Sequence, residues 1–315
     1  MINILWKGKD SLMQFLFTLL SLYLTYLLLC YPVQALSLAS TGLLLWFQKM
    51  IPTLLPFMIL SGVMIRLNLT ERFATFFHPL FHKIWGTSLN GSYAILMGML
   101  CGFPMGARVI GQLCLSGKLS ESEGAYLLAF CNNIGPIYFL SFVMGTLSLT
   151  GNYIPFLIMY GVPLCYGALL RLFHPKKHMD FPAYAKTPQT NVPLLRAIDD
   201  SVVSALIGIG KLGGYMVFFN LLNIMLLPFS KLPERFLSFC NCILEITSGI
   251  SRAGKPECLM ILILLPFGGF SCISQTYSMI KETNLSIVQY LWHKIIQTAI
   301  TAVIYAAFYA ASYSL

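Results

Sequence analysis

Residues 125–170 read AYLLAFCNNIGPIYFLSFVMGTLSLTGNYIPFLIMYGVPLCYGALL, and these 46 positions contain no Asp, Glu, Lys or Arg. A helix crosses the hydrocarbon of a bilayer with roughly 20 apolar residues, so the run is long enough for two crossings. Ser11–Gln48 and Leu259–Ile280 are equally free of charge. Of all 315 residues, 57% are hydrophobic and 10% charged, whereas an average soluble domain is about 25% charged. The pattern is that of an all-α, polytopic membrane protein, with the lipid bilayer as its first partner.

The net charge of +9 would raise the question of nucleic acid in a soluble chain. Here the basic residues sit in connections between apolar runs, which is the positive-inside bias, and no compact basic face with interleaved aromatics points to nucleic acid. The nine cysteines mostly lie inside apolar runs, where they serve as small filler. Cys240 and Cys242 form a lone CxC without further ligands at metal-site spacing, so no metal is expected, and no cofactor motif is present. Gly249–Lys255 has phosphate-loop spacing, but Pro256 stands where Ser or Thr is required. HExxH and GxSxG are absent and no pair of acids lies at membrane depth, so the chain reads as no enzyme, and the lack of intramembrane acids leaves no obvious proton relay. Lys7 and Lys9 precede an apolar stretch, Leu12–Tyr31, and then Val33-Gln34-Ala35. That resembles a leader with a cleavage site. The stretch is too long for one and more spans follow, so a retained first helix with a cytoplasmic N-terminus is expected.

The chain divides into an N-terminal transmembrane helix (1–40), a first repeat (41–172), a basic cytoplasmic linker (173–200) and a second repeat (201–315). The first repeat comprises a helix, a broken segment at 91–116 and two helices; the second comprises a helix, a broken segment at 259–280 and a last helix. Short matches recur in one order at shifts of 162–167: Lys49 with Lys211, Leu69–Phe73 with Leu232–Phe236, Gly102-Phe103 with Gly269-Phe270, Leu119-Ser120 with Leu285-Ser286, and Tyr126-Leu127 with Tyr290-Leu291. Loop charge puts 66–90 and 173–200 inside and the uncharged 145–152 outside, which makes 91–116 a re-entrant hairpin entering from inside. By the same logic 259–280 enters from outside, and the two repeats are inverted.

The hairpin at 98–108 reads GMLCGFPMGAR. Its glycines allow close helix approach, and Pro104 removes a backbone donor beside Gly102 and Phe103. Irregular backbone at this depth survives when buried in protein or lining a wet cavity, so the break is either a tight structural turn or a binding element. Arg108 just beyond it either snorkels to the surface or offers its fork to a carboxylate. Asn132 and Asn133 interrupt the next helix before Gly135-Pro136; they either hold helices together or form a polar floor for a solute. In the second break, Gly269 is followed by Ser271, Ser274 and Gln275, hydrogen-bonding groups suited to a small polar anion. Lys49, Lys211 and Lys294 add positive potential unless they snorkel.

The runs GFPMGAR…GKLSESEGAYLLAFCNNIGP and LPFGGFSCISQTYSMI…LSIVQYL resemble the nucleoside-recognition (Gate) domain, from about residue 40 to the C-terminus. More closely they resemble the YlbJ (SpoVV) family of sporulation integral membrane proteins. The resemblance implies a fold like that of concentrative nucleoside transporters, with inverted repeats and paired hairpins. It implies transport of a small anionic substrate, dipicolinate, from the mother cell across the outer forespore membrane. The same fold also serves nucleoside or other solute carriers, and a sporulation membrane scaffold that transports nothing is a third reading. A homo-oligomer, or partners within the sporulation membrane, is compatible with each.

Overall fold

The computed structural model describes residues 2–173 and 192–313, with side chains from Gln14 to Phe308. Its regular elements are helices: α1 (Ile2–Cys30), α2 (Pro32–Leu45), α3 (Ile51–Arg66), α4 (Thr70–Ala74), α5 (His78–Trp85), α6 (Leu89–Cys101), α7 (Met105–Leu115), α8 (Glu121–Cys131), α9 (Pro136–Tyr138), α10 (Met144–Thr146), α11 (Ile154–Phe173), α12 (Leu194–Leu222), α13 (Glu234–Leu244), α14 (Ile246–Ala253), α15 (Cys258–Leu264), α16 (Gly269–Ile280) and α17 (Ile287–Tyr313). Among the described residues six stretches are long and apolar enough to cross a membrane: Pro32–Arg66, Glu121–Thr146, Ile154–Phe173, Leu194–Phe229, Lys255–Ile280 and Ile287–Phe308.

Burial is inside-out relative to a soluble domain. Phe17, Leu29, Leu157, Leu195 and Val303 are exposed, while Arg108, Asn132, Asn133, Glu245 and Lys294 are buried. An apolar wall around a polar interior suits lipid, because each buried polar group can find its partner only within the bundle. The chain is an integral membrane protein.

Contacts fix the direction of each segment. At one end Lys118 donates to the Ile65 carbonyl at 2.7 Å, Arg66 to Ser201 Oγ at 3.1 Å, and Asn284 to Glu121 Oε1 at 2.6 Å. The Ser88 N–H donates to Glu123 Oε1 at 2.7 Å. This first end therefore gathers the ends of α3, α7 and α16 and the starts of α6, α8, α12 and α17. From it α12 runs for 29 residues, about 43 Å at 1.5 Å per residue. At the far, second end Arg235 of α13 pairs with Glu257, just before α15, at 3.2 Å.

Two pairs of helices fold back on themselves. α6 and α7 start and finish at the first end and pack closely, with a Cβ on Gly98 falling 3.1 Å from Gly106 Cα. α13 and α14 do the same from the second end, with a Cβ on Gly249 falling 2.7 Å from Cys242 Cα. Over 91–116 the chain thus folds back on itself as two packed helices. The fold-back expected over 259–280 is not formed. α15 begins beside Arg235 at the second end, and α16 finishes beside Glu121 at the first, so 258–280 is a broken crossing. The physical reason lies at Gly268 and Gly269, with φ of +75° and +81°, which interrupt the helix without reversing it.

Residues 234–253, which precede the expected second broken segment, instead hold the second fold-back pair. Of the matches at shifts of 162–167, those at Gly102-Phe103, Leu119-Ser120 and Tyr126-Leu127 pair the α7 and α8 regions with α16 and α17, which lie side by side and point the same way. Of the expected linker at 173–200, residues 174–191 lie outside the described residues, and 194–200 form the first turns of α12. The first crossing of the 41–172 unit begins earlier than expected, at Pro32, because a π-helical turn at Trp46–Met50 joins α2 to α3 without a stop.

Candidate functional site

Four irregular segments meet at the centre: the tip of α6–α7 (102–104), the break after α8 (132–135), the tip of α13–α14 at Glu245, and the break between α15 and α16 (265–268). Each tip is nested on a break. Gly102 sits at φ +88°, and a Cβ there would collide with the Gly135 N; Gly98 and Gly106 would meet the Cys131 carbonyl in the same way. Gly269 packs on the other tip, where a Cβ would lie 3.0 Å from the Cys242 carbonyl and 3.3 Å from Ile246 N. The two halves touch at Gly268, whose Cβ would lie 3.1 Å from the Phe103 ring.

Between them is a cavity whose polar lining includes Thr53, Tyr138, Glu245, Thr247 and Gln275, with Phe57 and Phe103 on its apolar side. Of the residues singled out from sequence, Phe103 and Gln275 reach this wall. Gln275 donates to Ser271 Oγ at 3.0 Å, and Ser271 is fully buried behind it. Ser274 is half-buried on the same helix and is not part of the wall. Gly102 and Gly269 act through packing, and the Pro104 carbonyl accepts the Arg108 N–H at 3.0 Å in the first turn of α7.

Asn132 and Asn133 are occupied by protein. Asn132 Oδ1 accepts the Ala107 N–H at 3.2 Å, and its Nδ2 donates to Thr276 Oγ1 at 2.9 Å and Tyr290 OH at 3.0 Å. One side chain thus ties α7, α16 and α17 to the break. Asn133 Nδ2 donates to the Phe130 carbonyl at 2.6 Å, and its Oδ1 accepts from Lys294 Nζ at 2.7 Å.

Lys294 is fully buried on α17. Its ammonium donates to Asn133 and, at 3.4 Å, to Gln297 Oε1, and it stands 5.1 Å from the Phe103 ring centre and 5.6 Å from that of Tyr290. Gln297 Nε2 in turn donates to the Ala129 carbonyl at 2.6 Å. Neutral oxygens and π faces hold the charge, with no acid in ion-pair contact among the described residues. Arg108 is also buried, donating to Ser204 Oγ at 3.0 Å and to the Ser204 carbonyl at 3.3 Å on α12, behind the cavity wall and not on it. Neither snorkels. Lys49 and Lys211 are exposed on the outer face and do not join the site.

Glu245 is the residue that sequence reading missed. It is 1% exposed and lines the cavity. Its Oε1 accepts the Thr247 N–H at 3.1 Å and its Oε2 the Ser248 N–H at 2.7 Å, capping α14, while Asn220 Nδ2 lies 3.4 Å from Oε2. The signal was available: two charge-free arms, 236–244 and 246–251, flank a single acid, and charge returns only at Glu234-Arg235 and Arg252. The absence of membrane-depth acids, read from sequence, is corrected accordingly.

Fold and site together define a polytopic helical membrane protein built around two opposed, nested tips with a cavity between them. Comparison with known proteins bears out the resemblance. The family described as Gate, nucleoside recognition, matches residues 47–158, which hold the first tip and its break. The chain is 23% identical to the sporulation integral membrane protein YlbJ of Bacillus subtilis (strain 168), over 90% of this chain and 79% of that one. No solved structure matches it.

Proposed function

We propose that this protein is a carrier that moves a small organic anion across the membrane through the cavity between the two tips. The observation that carries the reading is the pair of buried cations, Arg108 and Lys294, held by neutral partners beside one tip. A charge at membrane depth costs at least about 2.5 kcal/mol on insertion scales, and such a charge is commonly spent on a passing ion. Phe57, Phe103 and Tyr138 offer the flat surfaces that a planar aromatic anion needs. Dipicolinate, a planar dianion, has that chemistry. With the YlbJ resemblance it makes transport across the outer forespore membrane of the sporulating mother cell the preferred assignment.

The order of elements supports alternating access by two inverted repeats. The first unit is a crossing (α2–α3), a fold-back from the first end (α6–α7), a broken crossing (α8–α10) and a crossing (α11). The second is α12, a fold-back from the second end (α13–α14), a broken crossing (α15–α16) and α17, each in the opposite direction. On this reading the fold-backs are the re-entrant hairpins of a transporter. Loop charge agrees. Placing 281–286 with 117–120 moves Lys281 to the first end, which raises the inner Lys/Arg count from eleven to twelve and lowers the outer from five to four. The N-terminus is then cytoplasmic.

A second reading has its own support. Glu245, Thr247 and Gln275 on the cavity wall are suited to the hydroxyls of a neutral nucleoside. Uptake of labelled dipicolinate into vesicles containing the purified protein separates the two. Saturable uptake that excess nucleoside leaves unchanged is expected. Uptake of nucleoside alone would favour the second reading, and no uptake of either under any imposed gradient would leave a scaffold.

A further inference from the structure

Away from the central cavity, two guanidiniums meet on one turn of α12. Arg66, at the end of α3, donates from Nη1 to Ser201 Oγ at 3.1 Å and from Nη2 to the Asp200 carbonyl at 3.3 Å. Arg108 donates from Nη2 to Ser204 Oγ at 3.0 Å. Ser201 and Ser204 are three residues apart and so are neighbours on the helix surface. The two charges lie close enough to repel each other. Neither has an acid in ion-pair contact among the described residues to offset that repulsion. Arg108 is 4% exposed, and its Nε is a buried donor without a partner. Such groups are uncommon and call for an explanation. A bound anion supplies one.

Arg66 and Ser204 share the wall of an open groove with Asp200, Val203 and Ile207. Arg66 is half-buried there, while Val203 and Ile207 are exposed on the outer face of α12. Ile207 lies seven residues beyond Asp200, about 10 Å further from the first end. The groove is therefore charged at that end and apolar where it continues into the membrane. We propose that Arg66, backed by Arg108, binds the phosphate of an anionic phospholipid from the leaflet at the first end, with an acyl chain lying along Val203 and Ile207. A guanidinium fork suits phosphate oxygens. The apolar flank favours a lipid over free phosphate, which has no use for it. Asp200 is exposed at the rim and is outnumbered by the two guanidiniums, so an anionic headgroup fits better than a zwitterionic one. The lipid offsets the repulsion between the arginines and ties α3 to the start of α12. This role stands whether or not the protein is a carrier.

The test uses the full-length protein in a mild detergent. Melting is followed as dioleoylphosphatidylglycerol or dioleoylphosphatidylcholine is added to the micelles, and separately as inorganic phosphate is added against sodium chloride of equal ionic strength. Saturable stabilisation by phosphatidylglycerol is expected, with little response to phosphatidylcholine or to phosphate. The half-saturating amount of phosphatidylglycerol should rise about fivefold in Arg66→Gln. It should rise at least as far in Ile207→Trp, which crowds the apolar flank from the lipid side and leaves both guanidiniums in place. Equal stabilisation by the two lipids, or an unchanged phosphatidylglycerol response in either folded variant, would overturn the site. Stabilisation by inorganic phosphate as strong as that by lipid, and lost in Arg66→Gln, would overturn the lipid in favour of a free anion. Arg66 takes no part in the central cavity, so a failure of vesicle uptake leaves this result standing.

Discussion

The two fold-back tips use one device and close it differently. The α6–α7 tip is a glycine tip: Gly98, Gly102 and Gly106 let backbone touch backbone at Cys131 and Gly135. Its charges, Arg108 and Lys294, stand behind it. The α13–α14 tip is an acid tip, in which the Glu245 carboxylate caps α14 and faces the cavity itself. A tip made of backbone contact is rigid, since no neighbour can move aside for an added atom. A tip held by a side-chain cap and a half-satisfied Asn220 is easier to open. On the carrier reading, the comparison predicts which side of the cavity moves: the second tip as the gate and the first as the floor.

The largest effect expected is at the floor. Gly102→Ala places a Cβ onto the Gly135 N at a positive φ, where two backbones would have to part. The loss is on the order of 3 kcal/mol or more, read as failure to yield a monodisperse, heat-stable protein in detergent. Survival with unchanged melting would break the contrast between rigid and movable tips.

At the gate, Glu245→Ala removes the cap and leaves the Thr247 and Ser248 N–H groups unpaired. A loss of about 1–2 kcal/mol is expected, with faster hydrogen exchange confined to 244–253. Exchange that instead spreads evenly over α6–α7 would assign the mobility to the wrong tip.

Lys294→Met separates charge from packing. It removes an ammonium without an acid partner, so thermal stability should change by less than about 1 kcal/mol, while dipicolinate uptake falls at least tenfold. A large stability loss with normal uptake of the folded fraction would make Lys294 a structural strut. Arg108→Ala is expected to lower uptake similarly without preventing insertion. Wild-type uptake there would confine the positive potential to Lys294.

The smallest effect concerns the connector that leads into the first tip, which has no counterpart before the second. His78 on α5 bonds Ser92 at 3.0 Å, and burial, followed by the neighbouring His82, lowers its pKa below the ordinary histidine value. The folded state therefore favours neutral imidazole. Its contribution is complete above about pH 6.5 and is lost as pH falls through the lowered folded value. A slight acid loosening of α5, absent in His78→Gln, is expected in hydrogen exchange between pH 7.5 and 5.5. An unchanged acid response in that variant would remove His78 from the comparison.

The sequence by itself determined the membrane class, the long apolar stretches, and the broken segment at 98–108 with its glycines. Those features are written locally, as charge-free length and as Gly–Pro breaks in an apolar run. It also pointed to Phe103 and Gln275, and to the buried cations, though not to what holds them. Only the tertiary structure decided that 258–280 crosses instead of returning, that 234–253 goes in and returns, and that Glu245 reaches the centre. The physical reason is that a broken helix and a helical hairpin carry the same local signals. Which of the two forms is settled by where the far end packs, here Arg235 against Glu257 and Asn284 against Glu121, contacts 22 and 163 residues apart in the chain.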